Sequence, residues 1–168
     1  MRTKYQVFTL AAVSVLLFVA MAIFLSPLEP SVPAIQITFT EAAFNAILSH
    51  WQAAGVARFK AHFIIDFPFL LSYGALGFLI ATRTGLLRTF SARARAVLAL
   101  LLPAAAAADA LENVMHLRFL FAPAPFMPWE YLLAGTAAST KWLLTVIFVA
   151  CSVLALGRNW CSAGAGLK

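Results

Sequence analysis

Apolar residues divide the chain into four long segments that are separated by shorter, more polar stretches. The segments cover residues 7–25, 62–81, 96–121 and 131–156 and are rich in Leu, Val, Ile, Phe and Ala. About 20 apolar residues are enough for a helix to cross the hydrocarbon core of a bilayer. The pattern therefore predicts an all-α, polytopic membrane protein, with four transmembrane helices in one bundle and a single domain over residues 1–168.

The first apolar segment allows a second interpretation. Arg2 and Lys4 form a basic start, and residues 20–22 (Ala-Met-Ala) resemble the small-residue site at which a signal peptide is cleaved. The apolar run continues beyond that site to Leu25. Retention of the segment as a membrane anchor is therefore favoured over its cleavage.

The connection at residues 26–61 is long and contains a predicted amphipathic helix in the first outer loop. Its apolar positions recur at the spacing of one helix face: Phe44, Ile47, Leu48 and Trp51. Thr38 and Glu41 stand at the spacing of a capping box, and Gly55 marks the expected end of the helix. Such a helix lies on the outer leaflet or caps the bundle. A lid over a site between the spans is the alternative, and the first interpretation is favoured.

Two shorter features predict how the spans are arranged. Residues 122–130 form a tight, proline-rich turn, and Trp129 and Tyr131 stand where an interfacial aromatic belt is expected. Residues 104–108 are consecutive alanines in the third span. Small residues on a spanning helix allow a neighbouring backbone to approach closely, so this run predicts a helix contact.

Composition excludes most soluble classes. Of the 168 residues, 63% are hydrophobic and 11% are charged, with a mean hydropathy of +0.92, whereas a soluble domain is roughly 45–50% apolar and about 25% charged. The net charge of +6 is spread thinly, so nucleic acid is not an expected partner. Cys151 and Cys161 form neither a disulfide framework nor a metal knuckle. The expected surroundings are a lipid bilayer.

The basic residues are distributed unequally between the two sides of the predicted bundle. One side holds eight of them: Arg2, Lys4, Arg83, Arg88, Arg93, Arg95, Arg158 and Lys168. The loops of the other side hold Arg58 and Lys60 against Glu29, Glu41 and Glu130. Lys and Arg collect in cytoplasmic loops, so both termini are predicted to be cytoplasmic.

Several polar side chains fall inside the predicted spans, where an ionisable group is costly unless it is paired. With a turn of about 100° per residue, the polar groups of each helix share one side. The candidate ligand-binding or ion-pair cluster is Asp66, Tyr73, Asp109, Glu112, Asn113, His116 and Lys141.

Depth along each helix, at about 1.5 Å per residue, sorts this cluster into two tiers. The deep tier is predicted to contain Lys141, Glu112, Asp109, Asn113 and Tyr73. The upper tier is predicted to join Asp66 with His116 or Arg118 and to open to the outer side at His62.

Three functions are compatible with such a cluster. It is either a buried ion-pair network that fixes helix register, a site that binds or transports an ion or a small polar or amphipathic ligand such as a lipid, or the centre of an intramembrane enzyme. The enzyme would act on a lipid or isoprenoid by carboxylate general acid/base chemistry. Binding or transport is favoured, the enzyme is the alternative, and a structural subunit of a membrane complex is the third class.

Two pairs at i, i+4 spacing could place metal ligands on one helix face: His62 with Asp66, and Glu112 with His116. Neither pair has the Glu-x-x-His spacing of di-iron bundles, and neither belongs to the H-E-x-x-H motif of metalloproteases. The sequence also contains no phosphate-binding or dinucleotide-binding glycine pattern. No metal and no cofactor are therefore expected.

Four stretches carry a resemblance to known proteins. They are Trp51, residues 62–74 (His-Phe-Ile-Ile-Asp-Phe-Pro-Phe-Leu-Leu-Ser-Tyr-Gly), residues 109–113 (Asp-Ala-Leu-Glu-Asn) and the pair Lys141-Trp142. In these stretches the chain resembles small four-span bacterial inner-membrane proteins that have no assigned activity. The resemblance implies a fold and a location, with no site attached to it.

Overall fold

The computed structural model describes residues 2–165, with side chains over residues 5–160, and the regular secondary structure of this part is all helical. Lys168 and the side chains of Arg2, Lys4 and Cys161 lie outside the described residues. The helices are α1 (Arg2–Leu25), α2 (Val32–Gln36), α3 (Glu41–Arg83), α4 (Ala92–Phe121) and α5 (Pro128–Ala165), with a 3₁₀ turn at Leu86–Thr89. Helices α1, α3, α4 and α5 are long and apolar enough to cross a membrane. The predicted all-α fold is confirmed, and the chain is a multi-pass integral membrane protein.

Helix α3 consists of two segments that meet at Gln52. This residue has φ 56° and ψ −175°, a conformation that a residue with a side chain adopts only under strain. Just before it, the Trp51 indole N–H donates a hydrogen bond of 2.7 Å to the Pro30 carbonyl oxygen. A Cβ atom at Gly55 would lie 2.7 Å from the Trp51 Cβ atom, so only glycine fits beside the bend.

The structure of α3 corrects three predictions that were made from the sequence. The amphipathic helix ends at the bend and not at Gly55, which lies inside the second segment of α3. This second segment, residues 53–83, is longer than the predicted span 62–81. Arg58 and Lys60, which were expected in a loop, are therefore helical.

The amphipathic helix at the start of α3 caps one end of the bundle. Its N-cap is Thr40, whose hydroxyl accepts a hydrogen bond of 3.3 Å from the Ala43 N–H, so the predicted cap at Thr38 is wrong. Phe44 is 1% exposed, and its ring centroid lies 5.4 Å from that of His116 and 5.9 Å from that of Tyr131. Tyr131 is thus buried in the bundle and not part of an outward-facing aromatic belt.

The four long helices pack in the order α1, α3, α4, α5. Helices α1 and α5, at the two ends of this order, do not pack side by side in the described chain. Glycines make the α3–α4 contact close: a Cβ atom at Gly74 would lie 3.0 Å from the Ala106 Cβ atom, and one at Gly77 would lie 2.4 Å from the Leu102 Cβ atom. The alanine run therefore lies at a close helix contact, as predicted.

Two apolar cores lie at opposite ends of the bundle. The first, at the end that carries α2 (the α2 end), comprises Leu28, Val32, Ile35, Phe44, Trp51, Phe59, Phe63, Met115, Phe119, Tyr131 and Ala134. The second, at the opposite end, comprises Ala81, Leu87, Leu98, Ala99, Leu102, Ala105, Phe148 and Ala155. On α3, α4 and α5 the candidate polar residues fall between these two sets, except His116, which lies among the residues of the first core. The bundle thus contains a polar layer between two apolar cores.

Candidate functional site

The centre of the polar layer is an ion-pair group on α4 and α5. The Lys141 Nζ atom lies 2.9 Å from the Asp109 Oδ1 atom and 2.6 Å from the Glu112 Oε2 atom. The three residues are at most 7% exposed, and Glu112 is fully buried. One ammonium group therefore faces two carboxylates in a region from which water is largely excluded.

The other oxygen atoms of these two carboxylates have different environments. The Asp109 Oδ2 atom accepts a hydrogen bond of 3.0 Å from the Tyr73 hydroxyl on α3, so both oxygens of Asp109 are used. The Glu112 Oε1 atom lies 3.8 Å from the His116 Nδ1 atom, which is beyond hydrogen-bond distance. Glu112 therefore depends on Lys141 for its stabilisation.

Asp66 forms a second pair, with Asn113. The Asn113 side-chain amide donates a hydrogen bond of 2.6 Å to the Asp66 Oδ2 atom, and both residues are buried. This differs from the predicted tiers, in which Asn113 belonged with Lys141 and Asp66 with His116 or Arg118. The ring of His116 instead packs among the aromatic rings of Phe44, Phe59 and Phe119.

Arg118 is outside the cluster. Its Nε atom donates a hydrogen bond of 2.6 Å to the Glu130 Oε1 atom, and the Glu130 Oε2 atom accepts one of 2.7 Å from the Met127 N–H. The Glu130 carboxylate thus accepts one hydrogen bond from the end of α4 and one from the backbone of the turn between α4 and α5. The short proline-rich turn brings Glu130 within reach of Arg118, so the arginine stabilises this turn and not Asp66.

The polar layer borders a cavity of about 480 Å³ between α1 and α5. Ligand pockets typically have volumes of roughly 300–1,000 Å³. The polar residues of the layer that line this cavity are His62, Asp66, Tyr73, Asp109 and Lys141. Three members of the predicted cluster do not line the cavity: Glu112, Asn113 and His116. Of these, Glu112 contacts the lining residue Lys141, and Asn113 contacts the lining residue Asp66.

The remaining wall of the cavity is mostly apolar and comes from α1, α2 and the segment between them, as well as from α3, α4 and α5. Phe18 and Ala22 line it from α1, and Trp142 and Thr145 line it from α5. Phe18 is 52% exposed and Trp142 is 41% exposed, so both also form part of the outer surface of the bundle. The cavity thus lies at the gap between two helices that do not pack together.

Helix α2 bridges this gap at one end. The Trp142 indole N–H on α5 donates a hydrogen bond of 3.2 Å to the side-chain oxygen of Gln36 on α2. Glu29 and Ser31, just before α2, also line the cavity. The sequence pattern did not identify these residues, because α2 is short and its polar side chains resemble those of an ordinary loop.

Within residues 5–160, no three His, Cys, Asp or Glu side chains come together in an arrangement that could hold a metal ion. Comparison of the chain with protein-family models, curated proteins and solved structures finds no match. The resemblance to small four-span bacterial inner-membrane proteins therefore stays a prediction.

Proposed function

We propose that the chain binds a small amphipathic molecule in the cavity between α1 and α5. The observation that carries this proposal is the lining of the cavity, in which the buried side chains of Asp66, Asp109 and Lys141 stand among apolar walls. A network that only fixes helix register needs no cavity, whereas a ligand with a polar head and an apolar body matches both parts of this one.

The position of the cavity supports access from the bilayer. Its sides carry the exposed rings of Phe18 and Trp142, and α1 and α5 are not packed against each other beside it. Beyond Leu102, in the deepest part of the wall, lies the apolar core of the opposite end. This arrangement favours binding over passage of a solute from one side of the membrane to the other.

Filling the gap is expected to remove the bound molecule. Ala22 lines the cavity from α1, so an Ala22→Trp side chain would occupy space that the ligand needs. In protein purified in uncharged detergent after incubation with a total polar lipid extract, the retained amphiphile is expected to fall at least about tenfold, which corresponds to about 1.4 kcal/mol of binding free energy. Mass spectrometry of the extracted protein measures the retained species.

The matched control is Ala20→Trp, because Ala20 lies on the same helix, is exposed and does not line the cavity. This variant is expected to retain the amphiphile. Equal retention by both variants, or no specific retention by the parent chain, would contradict the proposal and favour a structural subunit. Conversion of the retained amphiphile into a new species over time would instead favour an intramembrane enzyme.

The proposed orientation places both termini in the cytoplasm of a bacterial inner membrane. It is supported by four basic residues where α3 ends and α4 begins, at the end opposite Glu29 and Glu130: Arg83, Arg88, Arg93 and Arg95. An alkaline phosphatase fusion at the C-terminus is expected to be inactive in intact cells, and a fusion after Pro125 is expected to be active. The reverse pattern would show that the orientation is wrong.

A further inference from the structure

One oxygen atom on the cavity wall is not used by the protein. The Asp66 Oδ2 atom accepts the hydrogen bond from Asn113, but within the part of the chain that the structure describes the Oδ1 atom has no hydrogen-bond partner. Asp66 is 5% exposed and lines the cavity. A carboxylate oxygen only accepts hydrogen bonds, so this position requires a donor.

His62 adds a second acceptor, one helical turn before Asp66. Its Nδ1 atom contacts the Phe59 carbonyl oxygen, which only accepts, so Nδ1 carries the ring proton. In the neutral ring the Nε2 atom is then an acceptor. His62 is 3% exposed and lines the cavity on the same side of α3 as Asp66. Two neighbouring groups on this wall therefore favour a ligand that donates hydrogen bonds.

The charges of the cavity favour a cation. Its wall contains the carboxylates of Glu29, Asp66 and Asp109 against the single ammonium group of Lys141. That ammonium group is already paired with Asp109 and with Glu112, which does not line the cavity. A carboxylate in an apolar environment is strongly stabilised by a positive partner, and Asp66 has only an amide. An anionic ligand would meet repulsion from three acids.

Aromatic side chains and the helix gap specify the rest of the ligand. Phe18, Phe69, Tyr73 and Trp142 line the cavity, and aromatic faces attract alkylammonium groups. The apolar wall of α1 and the absence of packing between α1 and α5 leave space for an alkyl chain that extends towards the bilayer. The ligand that matches all these features has a cationic head and an apolar tail.

We infer that the cavity binds cationic amphiphiles of the alkylamine class, with the ammonium group donating to Asp66 and His62 and the alkyl chain lying between α1 and α5. This inference rests on the proposed function and names the chemical class of its ligand.

Dodecylamine is the probe. Its binding is measured as an increase in the thermal unfolding midpoint of the full chain, in uncharged-detergent micelles at neutral pH. A ligand that binds only the folded state raises this midpoint with concentration, and the increase yields a dissociation constant. Ethylamine tests the need for the tail, dodecanol the need for the charge, and dodecanoate the sign of the charge. Dodecylamine is expected to bind more tightly than all three.

Asp66→Asn tests the named contact, because it removes the charge and keeps an oxygen that accepts from Asn113. Hydrogen bonds to charged groups contribute roughly 1.5–3 kcal/mol, so dodecylamine is expected to bind about 10- to 100-fold more weakly. The control is Glu41→Gln, the same change at an exposed carboxylate outside the cavity, which is expected to leave the dissociation constant unchanged. Circular dichroism verifies that both variants remain folded.

The outcomes separate this inference from the proposed function. Tighter binding of dodecanol or dodecanoate than of dodecylamine, with loss of that binding in Ala22→Trp, would overturn the cationic class and leave the binding site in place. Equal binding of ethylamine would overturn the role of the tail, and an unchanged dissociation constant in Asp66→Asn would overturn the contact. If no probe shows saturable binding that Ala22→Trp removes, the proposed function fails as well.

Discussion

Replacement of Lys141 by methionine is expected to cause the largest loss of stability of any single substitution in the polar layer. Methionine fills a similar volume but leaves Asp109 and Glu112 without their shared ammonium partner. Glu112 is fully buried and has no other partner within hydrogen-bond distance in the described chain. Removing one member of a buried ion pair typically lowers the free energy of unfolding by about 3–5 kcal/mol.

Reversible unfolding in mixed micelles, followed by circular dichroism, measures this loss. The matched control is Arg118→Met, which also removes a cation from an ion pair, but from a side chain that is 52% exposed. The control is expected to lose less stability, because the arginine is half exposed and the buried Glu130 carboxylate keeps its hydrogen bond from the Met127 N–H, whereas Glu112 keeps no partner. Equal losses in the two variants would show that burial of the Lys141 group has no special role.

A second substitution tests whether the stranded charge causes the loss. Glu112→Gln in the Lys141→Met background removes the carboxylate that is most completely buried, so it is expected to restore part of the stability. The double variant also removes the only cation from the cavity wall. It is therefore expected to bind dodecylamine at least as tightly as the parent chain does. Loss of that binding together with restored stability would contradict the cationic-ligand inference and would still support the stranded charge as the cause of the stability loss.

The fold was predictable because length and apolarity determine which helices can cross a bilayer. The boundaries of the helices were less predictable, since they depend on contacts between distant residues. The end of the amphipathic helix at Gln52 follows from the hydrogen bond between Trp51 and Pro30 and from the fit of Gly55 against Trp51. A glycine after an apolar series resembles a helix end in sequence, whereas here its role is close packing.

The meeting of Lys141 with Asp109 followed from helical periodicity and depth, but the other pairings did not. Asn113 is one residue from Glu112 and points to α3, where it meets Asp66, although depth alone assigned it to the deeper group. Arg118 lies near the end of α4, and the short turn to α5 places Glu130, in the first turn of α5, beside it. Depth fixes which residues are at the same level and leaves open which way each side chain turns.

The cavity itself was not predictable from the pattern of polar residues. It exists because α1 packs on α3 but not on α5, and the spanning part of α1 is apolar apart from a few small polar residues, with no polar face that marks the cavity. Phe18 and Ala22 therefore look like ordinary lipid-facing residues until the packing order is known. The polar residues of the site could be named from sequence, and the space they border could not.

The second large effect is expected at Gly77, where α3 and α4 make their closest contact. A Cβ atom there would lie 2.4 Å from the Leu102 Cβ atom and within 2.7 Å of its Cγ and Cδ1 atoms. The Cβ atom of Leu102 is fixed to the backbone of α4, so rotation of the Leu102 side chain cannot remove this overlap. The two helices must therefore separate. Gly77→Ala is expected to lower the free energy of unfolding by about 1–3 kcal/mol, the range for overpacked cores.

Two other glycines form a graded control for this prediction. A Cβ atom at Gly74 would lie 3.0 Å from the Ala106 Cβ atom, a smaller overlap, and one at Gly157 would meet nothing within 4 Å. Gly74→Ala is therefore expected to have a smaller effect than Gly77→Ala, and Gly157→Ala is expected to stabilise α5 by about 0.4–1 kcal/mol.

Separation of α3 from α4 would also lengthen the contacts from Asp66 to Asn113 and from Tyr73 to Asp109, which cross the same interface. Gly77→Ala should thus weaken dodecylamine binding together with stability, and a destabilised variant with unchanged binding would show that the α3–α4 contact does not position the site.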